Sequence, residues 1–407
     1  MSWVLDLVLG FHNWRHGVPK IIASTKKSTS PLRLGVLGAA AINPCAIFDP
    51  VSTHPDVVIS GIAARSETKA EAQITQYKLQ HARAYVSYDD LLADPEIEAV
   101  YIPLPNGLHA EWTLKALRAG KHVLVEKPIA SNAEQIRGIK RVSEETGKVV
   151  LEAFHWRLHP AAHLVKSLVD SGDYGAVQEV RTRMALPAGT MAKDDIRFQY
   201  GLAGGSCMDM IYVYSATSYF AAPSLRDVKI EVQSAVPRVN ARDGKIDEAM
   251  TTDYTITSPS ANNGQPVHCH AETDLAVPWL WGIIPPLWEG TITATVELEK
   301  ATIVFPNFPG PWLSHTITVT DRATGKVTKH SAYTDGPQWV RRGQSWWTTY
   351  RYQLEAFVDR VRAVQGGKSL AETEEMERLP LVGLEESEAV MTIVDKVYEK
   401  AGLGVRM

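Results

Sequence analysis

A lysine follows directly after a short apolar run in the first third of the chain. The stretch AGKHVLVEKP covers residues 119–128, and its run His-Val-Leu-Val is typical of a buried strand. The run ends on Glu126, Lys127 and Pro128. Because a proline disfavours the helical region for the residue before it, Pro128 restricts the direction of the Lys127 side chain. A lysine held beside another positive charge loses its proton more easily, so these residue types indicate proton transfer at Lys127.

A turn rich in small residues follows the first apolar run. The stretch GVLGAAAINP places Gly38, Ala40 and Asn43 on the three glycine positions of the dinucleotide fingerprint GxGxxG, so one glycine of the three is present. A pyrophosphate needs a tight turn, small side chains and a helix N-terminus. The position after a first strand favours dinucleotide binding over a turn without a ligand. The residues predicted to contact the cofactor here are Gly38, Ala39, Ala40, Ala41 and Ile42.

The end of the second predicted strand bears on which dinucleotide binds. NAD-selective proteins carry Asp or Glu there, which accepts hydrogen bonds from the ribose 2′-hydroxyl. Here the stretch is IAARSET, and Arg65 and Ser66 occupy the position. An arginine pairs well with a 2′-phosphate, so the sequence favours NADP, with NAD as the alternative. In the other interpretation Arg65 is a solvated loop residue.

The loop after a further predicted strand, AVYIPLPNGLH, adds groups at the same edge of the sheet. The Asn106 amide can donate to and accept from a ribose or a carboxamide. His109 could contact the cofactor or could instead cap the following helix. The cofactor contacts predicted for this loop are Leu104, Pro105, Asn106 and His109.

These candidate sites lie on a regular alternation of strands and helices that begins at Leu32. Strands that are apolar throughout and alternate with amphipathic helices predict a parallel sheet covered on both faces. Ligands bind at the carboxyl ends of such strands, where Lys127 stands. After about residue 175 the segments are strand-like with few helices between them, which predicts antiparallel pairing. The predicted fold is an α/β Rossmann nucleotide-binding domain plus an α+β C-terminal domain with a large, open, mostly antiparallel sheet.

The predicted domains are residues 31–152 for the Rossmann domain and 153–407 for substrate binding and dimerisation. Residues 1–30 are predicted to be an N-terminal extension. Its apolar residues stand at roughly helical spacing, which predicts a short amphipathic helix that packs on the body of the protein or on a partner. This helix is too short to span a bilayer, so we predict no membrane contact.

Composition and charge argue against several function classes. The chain has 407 residues, 45% of them hydrophobic and 22% charged, as in an ordinary globular protein with room for two cores. The net charge of -4 provides no basic field for nucleic acid, so we expect a small-molecule partner. The three cysteines lie far apart without CxxC spacing, which favours a reducing, cytoplasmic location.

Two histidine patterns and a tryptophan-rich region have weaker interpretations. Three histidines spaced by four begin at His155, and His268 and His270 share one strand face. Pro160 interrupts the first set and the second lacks a third ligand, so we predict no metal site. Seven of the eleven tryptophans fall from Trp279 onward. They could stack on a sugar or aryl ring, or pack in a core and a dimer interface.

The stretch EAVYIPLPNGLHAEWTLKALRAGKHVLVEKP resembles the corresponding part of the Gfo/Idh/MocA oxidoreductases, and the likeness extends from about Leu32 to the C-terminus. Three further stretches, LEAFHWRLHP, DIRFQYGLAGGSCMD and TYRYQLEAFVDRV, resemble the branch with dimeric dihydrodiol dehydrogenase and NADP-dependent xylose dehydrogenase. The resemblance implies an N-terminal nucleotide domain and a catalytic lysine in the EKP motif. It also implies a homodimer formed through the open sheet of the second domain.

Carried over by position, the resemblance assigns roles to individual residues. It makes Lys127 the acid/base or hydroxyl-orienting residue, places Glu126 near the nicotinamide ribose, and implies a cis peptide bond before the proline of the motif. Trp156 and Arg157 match an aromatic–arginine pair near the cofactor. Asp209 matches an aspartate on the helix that opens after two glycines. The residues expected to contact substrate are Lys127, His155, Arg197 and Asp209.

The chain departs from the family pattern shortly after Asp209. The family places His or Tyr four residues on and on the same helix face, whereas this chain has Val213. Tyr212 and Tyr214 flank that position, each about 100° away around a helix. Either one of these tyrosines supplies the hydroxyl, with Tyr214 slightly preferred, or the proton relay consists of Lys127 and Asp209 alone.

The function implied is hydride transfer between a nicotinamide and a hydroxyl-bearing carbon of a sugar, cyclitol or dihydrodiol, by an NADP-preferring dehydrogenase or reductase. One alternative is a glycosidase that keeps its nucleotide tightly bound and oxidises the substrate transiently. Another is a nucleotide-sensing regulator without turnover, which the presence of Lys127 and Asp209 makes less favoured. Fold analogy supports all three and cannot choose among them.

Overall fold

The computed structural model describes residues 2–259, 262–281, 291–335, 339, 342–374 and 382–407. The chain forms two compact units, each discontinuous in sequence. The first unit comprises Met1–Ala130, Gln135–Leu158 and Gln338–Leu384. The second unit comprises Ser131–Glu134, His159–Pro337 and Glu385–Met407. The predicted domain boundary at residue 152 stays a prediction, and these units divide the chain differently.

The strands and helices alternate as far as residue 170, and strands predominate after it. The strands are β1 (Leu32–Leu37), β2 (Val57–Ala63), β3 (Arg83–Tyr85), β4 (Ala99–Ile102), β5 (His122–Val125), β6 (Val150–Glu152), β7 (Val177–Pro187), β8 (Lys229–Val239), β9 (Asp247–Thr257), β10 (Val267–Val277), β11 (Ile292–Leu298), β12 (Ala301–Pro306), β13 (Ile317–Asp321) and β14 (Val327–His330). The α-helices are α1 (Ser2–His16), α2 (Val18–Ser24), α3 (Asp49–Ser52), α4 (Glu67–Gln76), α5 (Tyr88–Ala93), α6 (His109–Arg118), α7 (Ala133–Thr146), α8 (Pro160–Asp170), α9 (Ser206–Asp209), α10 (Tyr212–Ala221), α11 (Thr349–Gln365), α12 (Leu370–Glu374) and α13 (Leu384–Lys400).

The first unit is built on a parallel sheet. Among the described residues its strands follow the order β3-β2-β1-β4-β5-β6, and every neighbouring pair is parallel. All residues of β4 and β5 are buried, as expected for central strands that are covered on both faces. The predicted Rossmann sheet is therefore confirmed.

A helix from late in the chain completes the core of the first unit. Helix α11 begins after Thr348, whose hydroxyl accepts a hydrogen bond from the Arg351 amide as an N-cap. Its residues Leu354, Phe357 and Val361 are buried in the same apolar cluster as β1 and β2. The amphipathic pattern predicts a closing helix, and the structure shows that the core it closes belongs to the first unit.

The N-terminal helices also pack on the first unit. The Asn13 side-chain amide donates to Asp49 Oδ1 at 2.7 Å, and His12 Nε2 lies 2.9 Å from the Trp346 carbonyl oxygen. Phe11 and Trp14, on the other side of α1, are largely exposed. Of the two predicted docking modes, the structure shows packing on the body of the protein. No helix among the described residues is both long enough and apolar enough to cross a bilayer.

The second unit contains a mixed sheet that is mostly antiparallel. Among the described residues the order is β14-β13-β12-β11-β7-β10-β9-β8, and β7 with β10 is the parallel pair. Burial alternates along β10 and β12, since one face is covered and the other is open. Helix α10 packs on the covered face, against β7 and β10. The predicted open, mostly antiparallel sheet is confirmed.

A fully buried ion pair lies beneath the turn that leads into α9. Arg406 Nη2 lies 2.8 Å from Asp247 Oδ1, and neither side chain is exposed to solvent. The second Asp247 oxygen accepts from the Ser206 hydroxyl and the Cys207 amide, both at 2.8 Å. Arg406 Nε donates to the Gly204 carbonyl at 2.9 Å. The pair therefore holds the start of α9 against β9.

Replacing Arg406 with methionine should destabilise the second unit by about 3–5 kcal/mol, because it leaves the Asp247 carboxylate buried without its counter-ion. The measurement is the free energy of unfolding from urea titration. Arg226, which pairs with Glu385 on the surface, is the matched control, and Arg226→Met should cost about 0–1 kcal/mol. Equal losses in the two variants would contradict the assignment.

Candidate active site

The parallel sheet of the first unit brings five chain segments to one edge. In a parallel sheet all carboxyl ends lie at the same side, so the residues after β1, β2, β4, β5 and β6 meet there. These segments contain the Gly38 turn, the Arg65 position, the Leu104–His109 loop, the Glu126–Pro128 motif and the His155 turn. The sequence-based prediction that these segments converge is consistent with this topology.

The turn after β1 is tight and is lined by small residues. Gly38 has φ of 125°, a conformation that favours glycine, and a Cβ there would lie 3.1 Å from Leu104 Cδ2. The Gly38 amide donates to the Ala63 carbonyl at 2.8 Å. Ala39 and Ala40 follow and are partly exposed. A tight turn lined by small side chains matches what a diphosphate needs, so the residues present fit a dinucleotide.

Two side-chain amides brace this turn. Asn43 is fully buried, and its Nδ2 donates to the Gly38 carbonyl at 2.8 Å and to Gln73 Oε1 at 3.0 Å. Gln73 Nε2 in turn donates to the Ala40 carbonyl at 3.0 Å. Asn43 stands where the fingerprint has its third glycine, and it replaces close backbone packing with a hydrogen-bonded clamp. Sequence reasoning missed Gln73, because nothing in the sequence links residues 43 and 73.

The Arg65 side chain lies at the end of β2 and is exposed. Burial raises the pKa of the nearby Tyr88 hydroxyl, and the Arg65 charge opposes that rise. The next residue, Ser66, has its hydroxyl 2.5 Å from Thr68 Oγ1. A cation and two hydroxyls thus stand at the position predicted for a 2′-phosphate. The contact itself stays a prediction.

His109 joins two loops of the site. Its Nδ1 lies 2.7 Å from the Pro128 carbonyl oxygen and its Nε2 lies 2.6 Å from the Leu104 carbonyl oxygen. Burial, with help from the Lys127 charge, lowers the pKa of His109 to about 4. The neutral ring carries one N–H and so donates to one carbonyl at a time. Both ring nitrogens face protein carbonyls and the side chain is fully buried, so neither the predicted cofactor contact nor a helix cap is supported.

The EKP motif follows β5, and the backbone of its first residue is still paired with β4. The Glu126 amide donates to the Ile102 carbonyl of β4 at 3.1 Å, and the Tyr101 hydroxyl donates to Glu126 Oε1 at 2.7 Å. The Lys127–Pro128 bond is cis, as the resemblance implies. Lys127 itself is partly exposed.

The chain after the motif is anchored by a buried carboxylate. The Ile129 amide donates to Glu152 Oε1 at 3.0 Å, and Glu152 ends β6 with almost no exposed surface. Lys127 is therefore flanked by a paired strand on one side and an anchored amide on the other. Sequence reasoning did not assign a role to Glu152 or to Tyr101, because their partners lie 23 and 25 residues away.

His155 lies close enough to Lys127 to be affected by its charge. Burial first, and then the Lys127 charge, lower the pKa of His155 to about 3. Its Nδ1 lies 2.8 Å from Thr349 Oγ1, and its ring centre lies 4.1 Å from that of Tyr350. The start of α11 therefore fixes a neutral imidazole beside Lys127. The structure brings these two predicted substrate contacts together.

Trp156 and Arg157 follow on the same short helical turn, His155–Leu158. Trp156 has no exposed surface and Arg157 has 4%. The Arg157 guanidinium carbon lies 5.8 Å from the Trp156 ring centre. The two side chains pack together inside the first unit, and their predicted contacts to the cofactor stay predictions.

In the second unit, the structure brings together Arg197 and Asp209. Arg197 Nε lies 2.8 Å from Asp209 Oδ2, and its Nη1 lies 3.0 Å from Asp195 Oδ1. The two carboxylates raise the pKa of Arg197 above its ordinary value despite burial. Gly205, with φ of 129°, opens the helix that carries Asp209. The arrangement pairs one of the predicted catalytic residues with a predicted substrate contact.

The helix after Asp209 is interrupted, which changes the prediction made for the tyrosines. Helix α9 ends at Asp209 and α10 begins at Tyr212, so the four-residue spacing to Val213 does not follow one helix face. Tyr214 has no exposed surface, and its hydroxyl lies 3.0 Å from Thr252 Oγ1 and 3.3 Å from Cys207 Sγ. Burial raises its pKa well above the ordinary value. The proton-transfer roles of Tyr214, which is fully buried, and of Tyr212, which is 5% exposed, stay predictions.

No group of three or more metal-ligating side chains is found within the described part of the chain. His159 belongs to the second unit, where its ring centre lies 5.8 Å from that of His315, at nearly a right angle. Part of the tryptophan-rich stretch PWLWGIIPPLW lies outside the described residues, and Trp279 and Trp281 at its start are exposed.

Comparison with known proteins shows which proteins this chain is similar to. A family model described as "Oxidoreductase family, NAD-binding Rossmann fold", GFO_IDH_MocA, matches residues 32–154. The chain is 31% identical over 379 residues to D-xylose 1-dehydrogenase (NADP(+)) 2 of Haloferax volcanii, a match that spans 92% of this chain and 98% of that protein. It is 35% identical over 205 residues to dTDP-3,4-didehydro-2,6-dideoxy-alpha-D-glucose 3-reductase of Streptomyces violaceoruber, spanning 50% of this chain and 58% of the reductase.

The fold is shared with solved structures. The crystal structure of a 3-ketoreductase from Actinomadura kijaniata, with NADP and TDP-benzene, superposes with a TM-score of 0.70 at 22% identity, covering 90% of this chain and 96% of the other. An aldose-aldose oxidoreductase from Caulobacter crescentus, complexed with glycerol, superposes with a TM-score of 0.69 at 19% identity, covering 91% and 98%. With the sequence match spanning nearly all of the Haloferax dehydrogenase, the chain belongs to the Gfo/Idh/MocA family of NAD(P)-dependent oxidoreductases.

Proposed function

We propose that the protein is an NADP-dependent dehydrogenase that oxidises a CH–OH group of an aldose, with Lys127 as the residue that takes the hydroxyl proton. The observation that carries the proposal is the position of Lys127 at the carboxyl end of β5, beside two buried histidines whose pKa values are lowered to about 3 and 4. At neutral pH those imidazoles carry no charge, so they neither repel a cationic ring nor compete as proton donors.

The first unit offers a set of groups for the cofactor. The turn around Gly38 would hold the diphosphate, and Arg65 with Ser66 would hold the 2′-phosphate of NADP. When bound, a nicotinamide cofactor supplies the hydride acceptor. Asn106, on the loop after β4, would meet the ribose or the carboxamide. These assignments follow from the position of each segment at the carboxyl edge of the sheet.

Lys127 accounts for the proton balance of the oxidation. The C–H bond breaks with its electron pair leaving as hydride, the O–H proton passes to the Lys127 amine, and a C=O bond forms. In the reverse direction the ammonium returns the proton to the new hydroxyl. Glu126, whose carboxylate accepts a hydrogen bond from the Tyr101 hydroxyl, would meet the nicotinamide ribose, as the resemblance implies. Two residues of the second unit are also part of the proposal, Asp209 in the proton relay and Arg197 in contact with the substrate.

The extent of each match supports an aldose as the proposed substrate class. The sugar dehydrogenase of Haloferax matches over 98% of its length, whereas the dTDP-sugar reductase matches over 58%. Trans-1,2-dihydrobenzene-1,2-diol dehydrogenase of Xenopus laevis, 30% identical over 164 residues, matches over 48% of its length and 39% of this chain. An aldose is therefore favoured over a nucleotide-linked sugar or a dihydrodiol. These relatives are dehydrogenases and reductases, and they give no support to the glycosidase and regulator alternatives.

A homodimer formed through the open sheet and a cytoplasmic location are further parts of the proposal. The outward face of β7 carries Arg181 and Arg183, and that of β10 carries Glu272, which lies 3.3 Å from Arg183. Such a face suits a polar, hydrogen-bonded interface more than an apolar one.

Lys127→Met should abolish turnover and leave NADP binding nearly intact, because it removes the proton acceptor and keeps an unbranched side chain of similar length. Turnover is measured as the absorbance of reduced nicotinamide with a panel of aldoses, and binding by fluorescence titration. Lys115→Met, on the exposed side of α6, is the control and should retain wild-type rates. Wild-type rates in Lys127→Met would rule out the assignment.

Arg65→Ala should raise the KM for NADP about tenfold or more and leave the KM for NAD nearly unchanged, since a charge-assisted bond to the 2′-phosphate is lost. Steady-state kinetics with each cofactor at saturating sugar provide the measurement. Arg118→Ala, at the exposed end of α6, serves as the control. A parallel rise of both KM values would show that Arg65 does not read the 2′-phosphate.

His155→Gln should reduce the fall in the free energy of unfolding that occurs as the pH decreases. His155 has a folded pKa of about 3, below the ordinary 6.5, so the unfolded chain binds a proton that the folded chain does not. The contribution of His155 to the free energy of unfolding is therefore full above pH of about 6.5. It falls by about 1.4 kcal/mol per pH unit as the pH drops toward about 3. Urea unfolding at pH 7, 6 and 5 compares wild type, His155→Gln and the exposed control His81→Gln. Parallel wild-type and His155→Gln slopes would contradict the prediction.

A further inference from the structure

Tyr101 places a phenol hydroxyl inside the core, directly behind the EKP motif. It lies on β4, has no exposed surface, and donates to Glu126 Oε1 at 2.7 Å. Burial, the Glu126 charge and that hydrogen bond together raise its pKa well above the ordinary value. The hydroxyl therefore keeps its proton throughout the neutral range and can act there as a permanent donor to the carboxylate.

The pairing of β4 with β5 fixes the position of the Glu126 backbone. Strands β4 and β5 are parallel neighbours, with Tyr101 opposite Leu124 and Ile102 opposite Val125. The Glu126 amide continues this ladder by donating to the Ile102 carbonyl at 3.1 Å. Ile102 of β4 holds the backbone of Glu126, and Tyr101, the residue before it, holds the carboxylate. The Glu126 side chain therefore turns back over β4.

The hydrogen bond is of the stronger kind. A neutral hydroxyl that donates to a carboxylate makes a charge-assisted bond, roughly twice as strong as a bond between neutral groups. Its donor is shielded from solvent, because Tyr101 lies in the apolar core of the first unit, whereas Glu126 is partly exposed. Such a bond stabilises one orientation of the carboxylate.

A second aromatic residue lies on the α11 side of the same motif. Tyr350 stacks on His155 with ring centres 4.1 Å apart, and His155 feels the Lys127 charge. Tyr350 is also among the groups that affect the pKa of Tyr101. Tyr101 thus contacts Glu126, and Tyr350 packs against His155.

We propose that Tyr101 is a positioning residue of the cofactor site, whose hydroxyl holds the Glu126 carboxylate in the orientation that binds the nicotinamide ribose. Tyr101 acts through Glu126 and touches neither substrate nor cofactor. This inference rests on the proposed function, because it takes the ribose of NADP as the group that Glu126 binds. It predicts an effect on cofactor binding that is separate from any effect on the sugar.

Tyr101→Phe is the direct test, because it removes one hydroxyl and leaves the ring that fills the core. The Kd and KM for NADP should rise about tenfold, the effect expected for loss of a bond to a charged group. The KM for the sugar should stay within about twofold and kcat should fall less than the NADP affinity. Tyr254→Phe is the matched control, because Tyr254 is equally buried, lies in the second unit, and bonds to the neutral Thr217 hydroxyl.

Glu126→Gln shows whether Tyr101 acts through Glu126. If it does, Tyr101→Phe should weaken NADP binding by less than about twofold when added to Glu126→Gln, whereas independent effects would multiply. Unchanged NADP affinity in Tyr101→Phe, multiplied effects in the double variant, or equal losses in Tyr101→Phe and Tyr254→Phe would each overturn the inference. NADP affinity is measured without sugar, so a wild-type protein that binds NADP and oxidises no aldose would refute the proposed function and still test Tyr101.

Discussion

Polar groups at the carboxyl edge of a buried parallel sheet need hydrogen-bond partners within the protein. The arrangement of the site depends on this constraint. The central strands are covered on both faces, so an unpaired carbonyl or amide there would cost more free energy than most single contacts provide. The chain meets the requirement with bonds that cross from one loop to another. Asn43 reaches the Gly38 carbonyl, His109 links the loops after β4 and β5, and Glu152 accepts from Ile129. These bonds hold the loops to one another.

The same burial determines the charges around the lysine. His109 and His155 are deprived of solvent, and each lies near the Lys127 charge, so both remain neutral over the range in which an unperturbed imidazole would titrate. Neutral rings supply shape and hydrogen bonds without adding positive potential. If both rings were protonated, a cationic nicotinamide would meet two further positive charges in one place. The electrostatic character of the site is thus a result of packing as much as of residue type.

Much of this arrangement could be predicted from the sequence. The contacts between residues far apart in the sequence could not. Apolar strands, small residues after β1 and the position of Lys127 are local patterns, and local patterns predict which elements form and which edge binds ligands. Gln73, Tyr101 and Glu152 act on residues more than twenty positions away, so no spacing rule identifies them. The spacing argument for Tyr214 assumed a continuous helix, whereas the helix breaks after Asp209 and the Tyr214 side chain is buried.

Helix α11 has a consequence for the order in which the protein can fold. Leu354, Phe357 and Val361 belong to the core of the first unit, yet the strands of the second unit precede them in sequence. During synthesis from the N-terminus, the six strands of the first unit emerge long before the helix that completes their apolar cluster. The cluster lacks the side chains of α11 while about two hundred further residues are added, at roughly 5–20 residues per second, so for ten seconds or more. The nascent chain is therefore most exposed to aggregation, and most in need of a chaperone, in that interval.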